Sequence, residues 1–308
     1  MRIFRNFEGV EIIQNAVVTT GSFDGVHVGH RAIINNLNKS AKELVGESTL
    51  ITFYPHPRKV LYPDTLGKKL MLINSQREKI ELLKKTGLNN LIIVDFTIAF
   101  SKMSSVDFVR KILIGKLNAK KIIVGFNHHF GYNREGDFDY LRELAQYYNF
   151  LVEEIPEQDI QNETVSSTKI RQALIEGNIQ KANAYLDHHY MIMGQIKKGN
   201  ELLNEAFPIV YSINIEEECK LIPPEGVYAI HLNFNNTNFK GIAIIHKLNN
   251  INFLSVDFHL FDKIEYLEGN DATLFFHKLI RKNNEYLKFD DWKYILNIDK
   301  EKVIGLIY

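Results

Sequence analysis

The sequence predicts a doubly wound parallel α/β domain followed by a smaller antiparallel β-barrel domain with terminal helices. Three observations predict it. Up to Leu186, short apolar runs alternate with longer helix-compatible stretches. Beyond Leu186, strand-like runs follow one another in quick succession with turn-prone pieces between them. The chain has 308 residues, 45% of them hydrophobic, enough for two cores at roughly 150 residues per domain. The division is drawn at 1–186 and 187–308.

In the first part, Ala16-Val17-Val18-Thr19-Thr20 reads as a buried strand that ends in Gly21, a residue suited to a sharp turn. Further strands are read at Thr49–Phe53, Asn90–Val94, Lys121–Val124 and Phe150–Glu153, and helices at Ser75–Lys85 and Ser105–Ile114. Continuous apolar strands alternating with helices argue for a parallel sheet covered on both faces. Such sheets bind ligands beyond the carboxyl ends of their strands.

In the second part, strands are read at Tyr190–Lys197, Ile209–Ile215, Gly226–Asn233, Phe239–His246 and Asn252–Leu260, separated by turns such as Pro223-Pro224-Glu225-Gly226 and Asn235-Asn236. Two terminal helices are read at Ala272–Arg281 and Asp290–Leu306. Closely spaced strands without intervening helices suggest a small barrel with helices at its end.

Composition narrows the function classes. Lys+Arg and Asp+Glu both number 37, a formal net charge of zero, so the global basic footprint of a nucleic-acid binder is missing and no nucleic-acid partner is expected. The single Cys219 can form neither an internal disulfide nor a cysteine metal cluster, and no protein-held metal is expected. Met1 to Glu8 lacks the apolar stretch of a signal peptide, and no apolar run approaches the ~20 residues that span a bilayer. A cytoplasmic chain with no membrane partner is expected.

The most informative stretch is Gly21-Ser22-Phe23-Asp24-Gly25-Val26-His27-Val28-Gly29-His30. It leaves a strand and enters a helix that starts near Gly29. Gly21 and Gly25 let the backbone turn close to a ligand, and a helix N-terminus favours phosphate through its unpaired N–H groups and partial positive charge. His27 and His30 add donors whose charge adjusts near neutral pH. The combination suits stabilising negative charge on a polyphosphate during transfer. A metal site or a structural pair are the other readings of two histidines at this spacing. A dinucleotide loop is disfavoured because G-x-G-x-x-G is absent.

This stretch resembles the nucleotidyltransferase signature of bacterial bifunctional riboflavin kinase/FAD synthetases. Three further segments resemble that family in its order: Thr52-Phe53-Tyr54-Pro55-His56-Pro57-Arg58, Val124-Gly125-Phe126-Asn127-His128-His129-Phe130-Gly131 and Val165-Ser166-Ser167-Thr168-Lys169-Ile170-Arg171. The resemblance implies a Rossmann-like nucleotidyltransferase domain. Its FMN phosphate attacks the α-phosphorus of ATP, giving FAD and pyrophosphate, with Mg²⁺ carried mostly by the phosphates and water. It implies that His27 and His30 stabilise the α-phosphate, and that Ser167, Thr168 and Arg171 hold the leaving phosphates. Asn127 would hold ligand without adding charge, and Phe130 would offer a face to the flavin with Gly131 leaving room. Gly21, Phe23, Asp24, Gly25, Phe53 and Pro55 complete the implied binding set. Read alone, Ser167, Thr168 and Arg171 are also a helix cap with an exposed arginine, Phe130 is also a core residue, and His128 and His129 are also exposed loop residues. Pro55 and Pro57 are read as fixing an extended path, with His56 shaping the pocket.

The resemblance continues, weakened, into the riboflavin kinase domain at Tyr190–Gly199, Pro224–Ala229, Val256–Leu260 and the closing helix Leu287–Val303. The departures fall where the family binds ATP and Mg²⁺. Asn200–Ala206 carries Glu201 and Glu205, and Phe207-Pro208-Ile209-Val210-Tyr211 lacks the hydroxyl and compact amide of the family motif. The family's catalytic Glu matches Asp257, a carboxylate on a shorter stem and equally an exposed strand residue. The expectation is FAD synthesis with kinase activity lost or weak. The alternatives are a fully bifunctional enzyme, with riboflavin as a further substrate, and a noncatalytic flavin- or nucleotide-binding regulator.

Overall fold

The computed structural model describes residues 1–126, 128–161, 163–200, 209–247, 254–264, 266–282 and 298–306. Backbone packing separates two compact units, Met1–Leu70 with Lys79–Val165, and Met71–Glu78 with Ser166–Tyr308. The change of sequence texture fell at Leu186, while packing groups the helices Ser167–Ile175 and Ile179–Leu186 with the strands that follow them. The reason is local: Asn183 donates to the Phe276 carbonyl at 2.8 Å and accepts from the Tyr190 amide at 2.7 Å. Sequence pattern and packing thus mark two different divisions.

The first unit holds six parallel strands, β1 (Arg2–Arg5), β2 (Val17–Thr20), β3 (Ser48–Tyr54), β4 (Asn90–Asp95), β5 (Lys121–Gly125) and β6 (Leu151–Ile155). Their order across the sheet is β1-β4-β3-β2-β5-β6. Val17, Val18, Leu50, Ile51, Leu91, Ile92, Ile122 and Ile123 are all buried, as strands covered on both faces must be. The chain steps outward from β2 through β3 to β4, then returns to lay β5 on the other side of β2. The neighbours β2 and β5 therefore bound the topological switch point, the place where ligands bind in such sheets. Strand β1 was not expected; its Arg-Ile-Phe-Arg run is largely exposed and pairs only with β4, at the sheet edge. The helix expected at Ser105–Ile114 begins as Ser105–Asp107 and continues as a π-helix over Phe108–Ile114. A two-stranded ribbon of β7 (Asp159–Ile160) and β8 (Glu163–Thr164) closes the unit.

The second unit contains a closed barrel in the order β10-β13-β12-β11-β14-β9. Its strands are β9 (Tyr190–Lys198), β10 (Tyr211–Asn214), β11 (Gly226–Phe234), β12 (Thr237–Lys247), β13 (Leu254–Leu260) and β14 (Asp271–Lys282). The stretch read as a helix at Ala272–Arg281 is strand β14, which corrects the sequence reading. Ala272, Leu274 and Phe276 are buried while Thr273 and Phe275 between them are less so. That is the period-2 pattern of a strand, and pairing with β11 and β9 supplies the partners that close the barrel. Of the last expected helix, residues 298–304 are helical; the earlier part, including Leu287 and Asp290, lies outside the described residues, as do Glu201–Pro208 and Asn252.

On one face of the closed sheet, the Tyr190 and Tyr228 rings meet Phe276 at 5.7 and 5.6 Å. Next to them Lys220 is buried, its Nζ 2.6 Å from Glu78 Oε2 with both side chains 1% exposed. The ammonium also donates to the carbonyls of Ile73 at 2.6 Å and Met191 at 2.8 Å. Glu78 accepts the amides of Ser75 and Met193, both at 2.9 Å. A buried pair persists only where such extra hydrogen bonds satisfy both ions. Lys220→Met should lower the unfolding free energy by about 3–5 kcal/mol by stranding a buried carboxylate, and adding Glu78→Gln should restore most of it. Urea denaturation of the parent and the two variants checks this; a single variant within ~1 kcal/mol of the parent would contradict it.

Candidate active site

Strand β2 ends at Thr20, and the next seven residues turn into the helix Val28–Glu43. The turn is unusual in its backbone. Phe23, Gly25 and Val26 all take positive φ, at 48°, 94° and 44°. For bulky and β-branched residues this region is strained, and such strain persists where surroundings over-determine it. Phe23, Asp24, Val26 and His27 are buried, so the turn is packed like core. Gly21 is anchored by its amide, which donates to the Ile51 carbonyl at 3.0 Å.

His27 occupies the N-cap of the helix, extended at φ −73° and ψ 176°, and its carbonyl accepts the first helical bond from Arg31 at 2.9 Å. One turn on, the His30 ring stacks on the His27 ring with centroids 3.7 Å apart, and Phe23 stacks on His30 at 4.5 Å. The glycine between the histidines packs close against this stack. A Cβ at Gly29 would lie 3.3 Å from the His27 ring.

Burial holds the His30 pKa well below the ordinary value, and the charges of His27 and Lys79 push it the same way. His30 is thus a neutral imidazole near pH 7, and its Nδ1 is buried without a hydrogen-bond partner among the described residues. Lys79 is itself buried, and its Nζ donates to the Ser22 carbonyl at 3.1 Å and to Thr52 Oγ1 at 3.3 Å. The lysine ties the turn after β2 to β3 and adds a positive charge beneath the imidazoles. Sequence reasoning missed Lys79, which lies in the helix read at Ser75–Lys85. The signal was present: Lys79 precedes Leu82 and Leu83 by three and four residues, which puts a lysine on the apolar face.

Two further motif loops leave the neighbouring strands at the same end of the sheet. After β3, Pro55 and His56 lead into a short helix, Pro57–Leu61, for which His56 is the N-cap, its Nδ1 accepting from the Arg58 amide at 3.2 Å. Pro57 was expected to extend the chain; it opens a helix instead, because the first helical position needs no N–H and suits its fixed φ. After β5, Gly125 and Phe126 lead to Asn127, which lies outside the described residues. His128 is not the exposed loop residue of one reading: its Nε2 is buried and burial lowers its pKa to about 4. His129 is exposed. Phe130 is half-buried and packs against the core of this unit. It ends a row of rings running from Phe53 through Phe100 and Phe108, with successive centroids 6.0 to 6.3 Å apart. Gly131 makes room for protein: a Cβ there would lie 2.6 Å from the Ser105 nitrogen.

The fourth motif belongs to the second unit. Ser166, not Ser167, caps the helix Ser167–Ile175, accepting from the Lys169 amide. Ser167 and Thr168 form its first turn with their amides at the N-terminus, and Arg171 follows one turn later, its Nε donating to the Met71 carbonyl at 2.8 Å. In the same unit Asp257 is buried on β13 and bonded to His246 at 2.6 Å, so it is not an exposed strand residue. Among the described residues, no group of three or more His, Cys, Asp or Glu is placed to hold a metal ion, and no helix is long and apolar enough to cross a membrane.

Comparison with known proteins gives concordant results. A family model described as FAD synthetase matches residues 10–169, and one described as riboflavin kinase matches residues 186–306. A bifunctional riboflavin kinase/FMN adenylyltransferase of Haemophilus influenzae is 29% identical over 98% of this chain and 97% of its own. The protein of that description from Listeria monocytogenes is 32% identical over 90% and 86%. A crystal structure described as a macrolide-efflux protein from Streptococcus pneumoniae superimposes with a TM-score of 0.85 over 98% of both chains at 24% identity, a likeness of fold.

The neutral state of His30 is open to direct test. Its ring resonances should not titrate near pH ~6.5, where an ordinary histidine takes up its proton. Lys79→Met removes a charge that repels the protonated ring, so His30 should then titrate higher than in the parent, though burial still holds it low. An ordinary histidine titration in the parent protein would refute this electrostatic picture.

Proposed function

We propose that this chain, which belongs to the bifunctional riboflavin kinase/FMN adenylyltransferase family, makes FAD by transferring the adenylyl group of ATP to FMN. A phosphate oxygen of FMN attacks the α-phosphorus, the bond from that phosphorus to the bridging oxygen breaks, and pyrophosphate leaves. The reaction asks for alignment and charge neutralisation and no protein nucleophile. The single observation that carries the reading is the stacked His27–His30 pair at a helix N-terminus on the sheet's switch point. Ring N–H groups and helix amides there stabilise charge on the α-phosphate. Mg²⁺ enters as part of the nucleotide substrate. Asn127, Ser167, Thr168 and Arg171 keep the ligand- and phosphate-holding roles that the family motif gives them. Gly21, Phe23, Asp24, Gly25, Phe53, Pro55, Phe130 and Gly131 keep the roles of lining and shaping the binding sites. The half-buried rings of Phe53, Phe100 and Phe130, set on the buried Phe108, support a flavin platform. The enzyme works in the cytoplasm on ATP, FMN and riboflavin, with 1–186 and 187–308 as its functional halves.

The second activity in this reading is riboflavin phosphorylation, with Asp257 as the base. A buried carboxylate fixed by a hydrogen bond supports it. A second reading, in which the kinase is lost, is favoured by Ile209 and Tyr211, which bring neither a metal-binding hydroxyl nor a compact amide.

Incubation of the purified protein with MgATP and either FMN or riboflavin, followed by product analysis, separates these readings. FMN should give FAD and pyrophosphate, and riboflavin should give FMN and then FAD. Riboflavin left unchanged would favour the lost kinase. His27→Ala should lower FAD synthesis by about 10²–10³-fold, the usual cost of losing a charge-stabilising donor; near-parental turnover would remove His27 from the chemistry.

A further inference from the structure

His246 on β12 and Asp257 on β13 are diagonal neighbours on one face of the barrel, His246 lying opposite Ser255 and Asp257 opposite Ile244. His246 Nε2 lies 2.6 Å from Asp257 Oδ2, and the two side chains are 18% and 2% exposed. The imidazole is held at both ends, since Nδ1 lies 3.3 Å from the Lys247 carbonyl. The hydrogen bond to Asp257 raises the His246 pKa against the opposing effect of burial, helped by the charges of Asp257 and Glu225 and by the Lys247 carbonyl. Charged and titratable groups on this side include Glu225, Lys247 and His259, with Lys300 acting on His259. Glu225 pairs with Lys247 at 3.4 Å, and His259 is engaged by the Ile209 carbonyl at 2.8 Å. Oδ2 is thus committed to His246, while Oδ1 makes no hydrogen bond among the described residues.

A carboxylate turns easily about its last side-chain torsion. Fixing one oxygen fixes the direction in which the other faces. A short aspartate has less reach than a glutamate, so its aim matters more for proton transfer.

We propose that His246 is a positioning residue for riboflavin phosphorylation: it grips Asp257 Oδ2 so that Oδ1 faces the substrate's primary hydroxyl. That hydroxyl oxygen bonds to the γ-phosphorus of ATP, the bond from γ-phosphorus to the bridging oxygen breaks with its electrons leaving on ADP, and the proton passes to Oδ1. The proposal rests on the reading of Asp257 as the base, and the orienting of a base by a second group is a general device.

Kinetics on the full chain tests it, with FAD synthesis from FMN as the check on folding. H246A should lower the kinase kcat by about 10–100-fold with little change in KM for riboflavin and none in FAD synthesis. H246Q keeps an N–H donor near the Nε2 position and should restore most of the rate, whereas D257N should abolish it. A kinase rate for H246A within about twofold of the parent, beside an inactive D257N, would overturn the role of His246 alone. An active D257N, or a parent that forms no FMN, would overturn the base assignment beneath it. The pairing has its own check by NMR: His246 should titrate above the ordinary histidine range and fall back in D257N, and an unmoved titration would overturn the proposal.

Discussion

Lys79 holds the turn after β2, and the chemistry proposed for the first unit leans on that turn. One ammonium group reaches the Ser22 carbonyl and Thr52 Oγ1, joining the turn to the neighbouring strand. The turn needs such anchoring because Phe23 and Val26 both sit at positive φ, a conformation their side chains disfavour. With the turn fixed, His27 falls at the helix N-cap and His30 stacks on it from one turn beyond. The lysine that fixes the geometry also adds to the electrostatics: burial and the His27 charge do most to keep His30 neutral, and the Lys79 charge acts in the same direction. A neutral ring one helical turn inside a positively polarised N-terminus can supply a hydrogen bond without a second full charge to desolvate.

Much of this was legible in the sequence, for physical reasons. Strands such as Asn90–Asp95 are buried on both faces and so read as unbroken apolar runs. The glycine–histidine stretch stood out because a ligand-hugging turn and a helix start constrain residue type at several positions together. Other features were hidden. Strand β14 contains Leu274, Phe275 and Phe276 in succession, a short apolar run that fits either period, and only its pairing with β9 and β11 decides it. Strand β1 is too short and charged to announce itself. The stacking of His27 on His30 needs three-dimensional spacing, though the intervening glycine hinted at close approach.

The second unit illustrates the same limit at its candidate site. Asp257 could be matched to a family position by its neighbours in the chain, but its partner His246 is eleven residues away and lies beside it only through the β12–β13 register. No local pattern links them. The substitutions at Ile209 and Tyr211 suggested loss of function when read one at a time. The His246–Asp257 pair shows that a shortened acid on this barrel face is nonetheless held in place, which is why the fully bifunctional reading is preferred over the degenerate one.

The adenylyl-transfer chemistry turns on where the nucleotide's innermost phosphate goes. A crystal structure of the protein with FMN and an ATP analogue that cannot react tests it most directly. The α-phosphate oxygens should lie within hydrogen-bonding distance of the His27 and His30 rings, at the N-terminus of the helix Val28–Glu43. A triphosphate bound elsewhere, with the stacked imidazoles untouched, would contradict it.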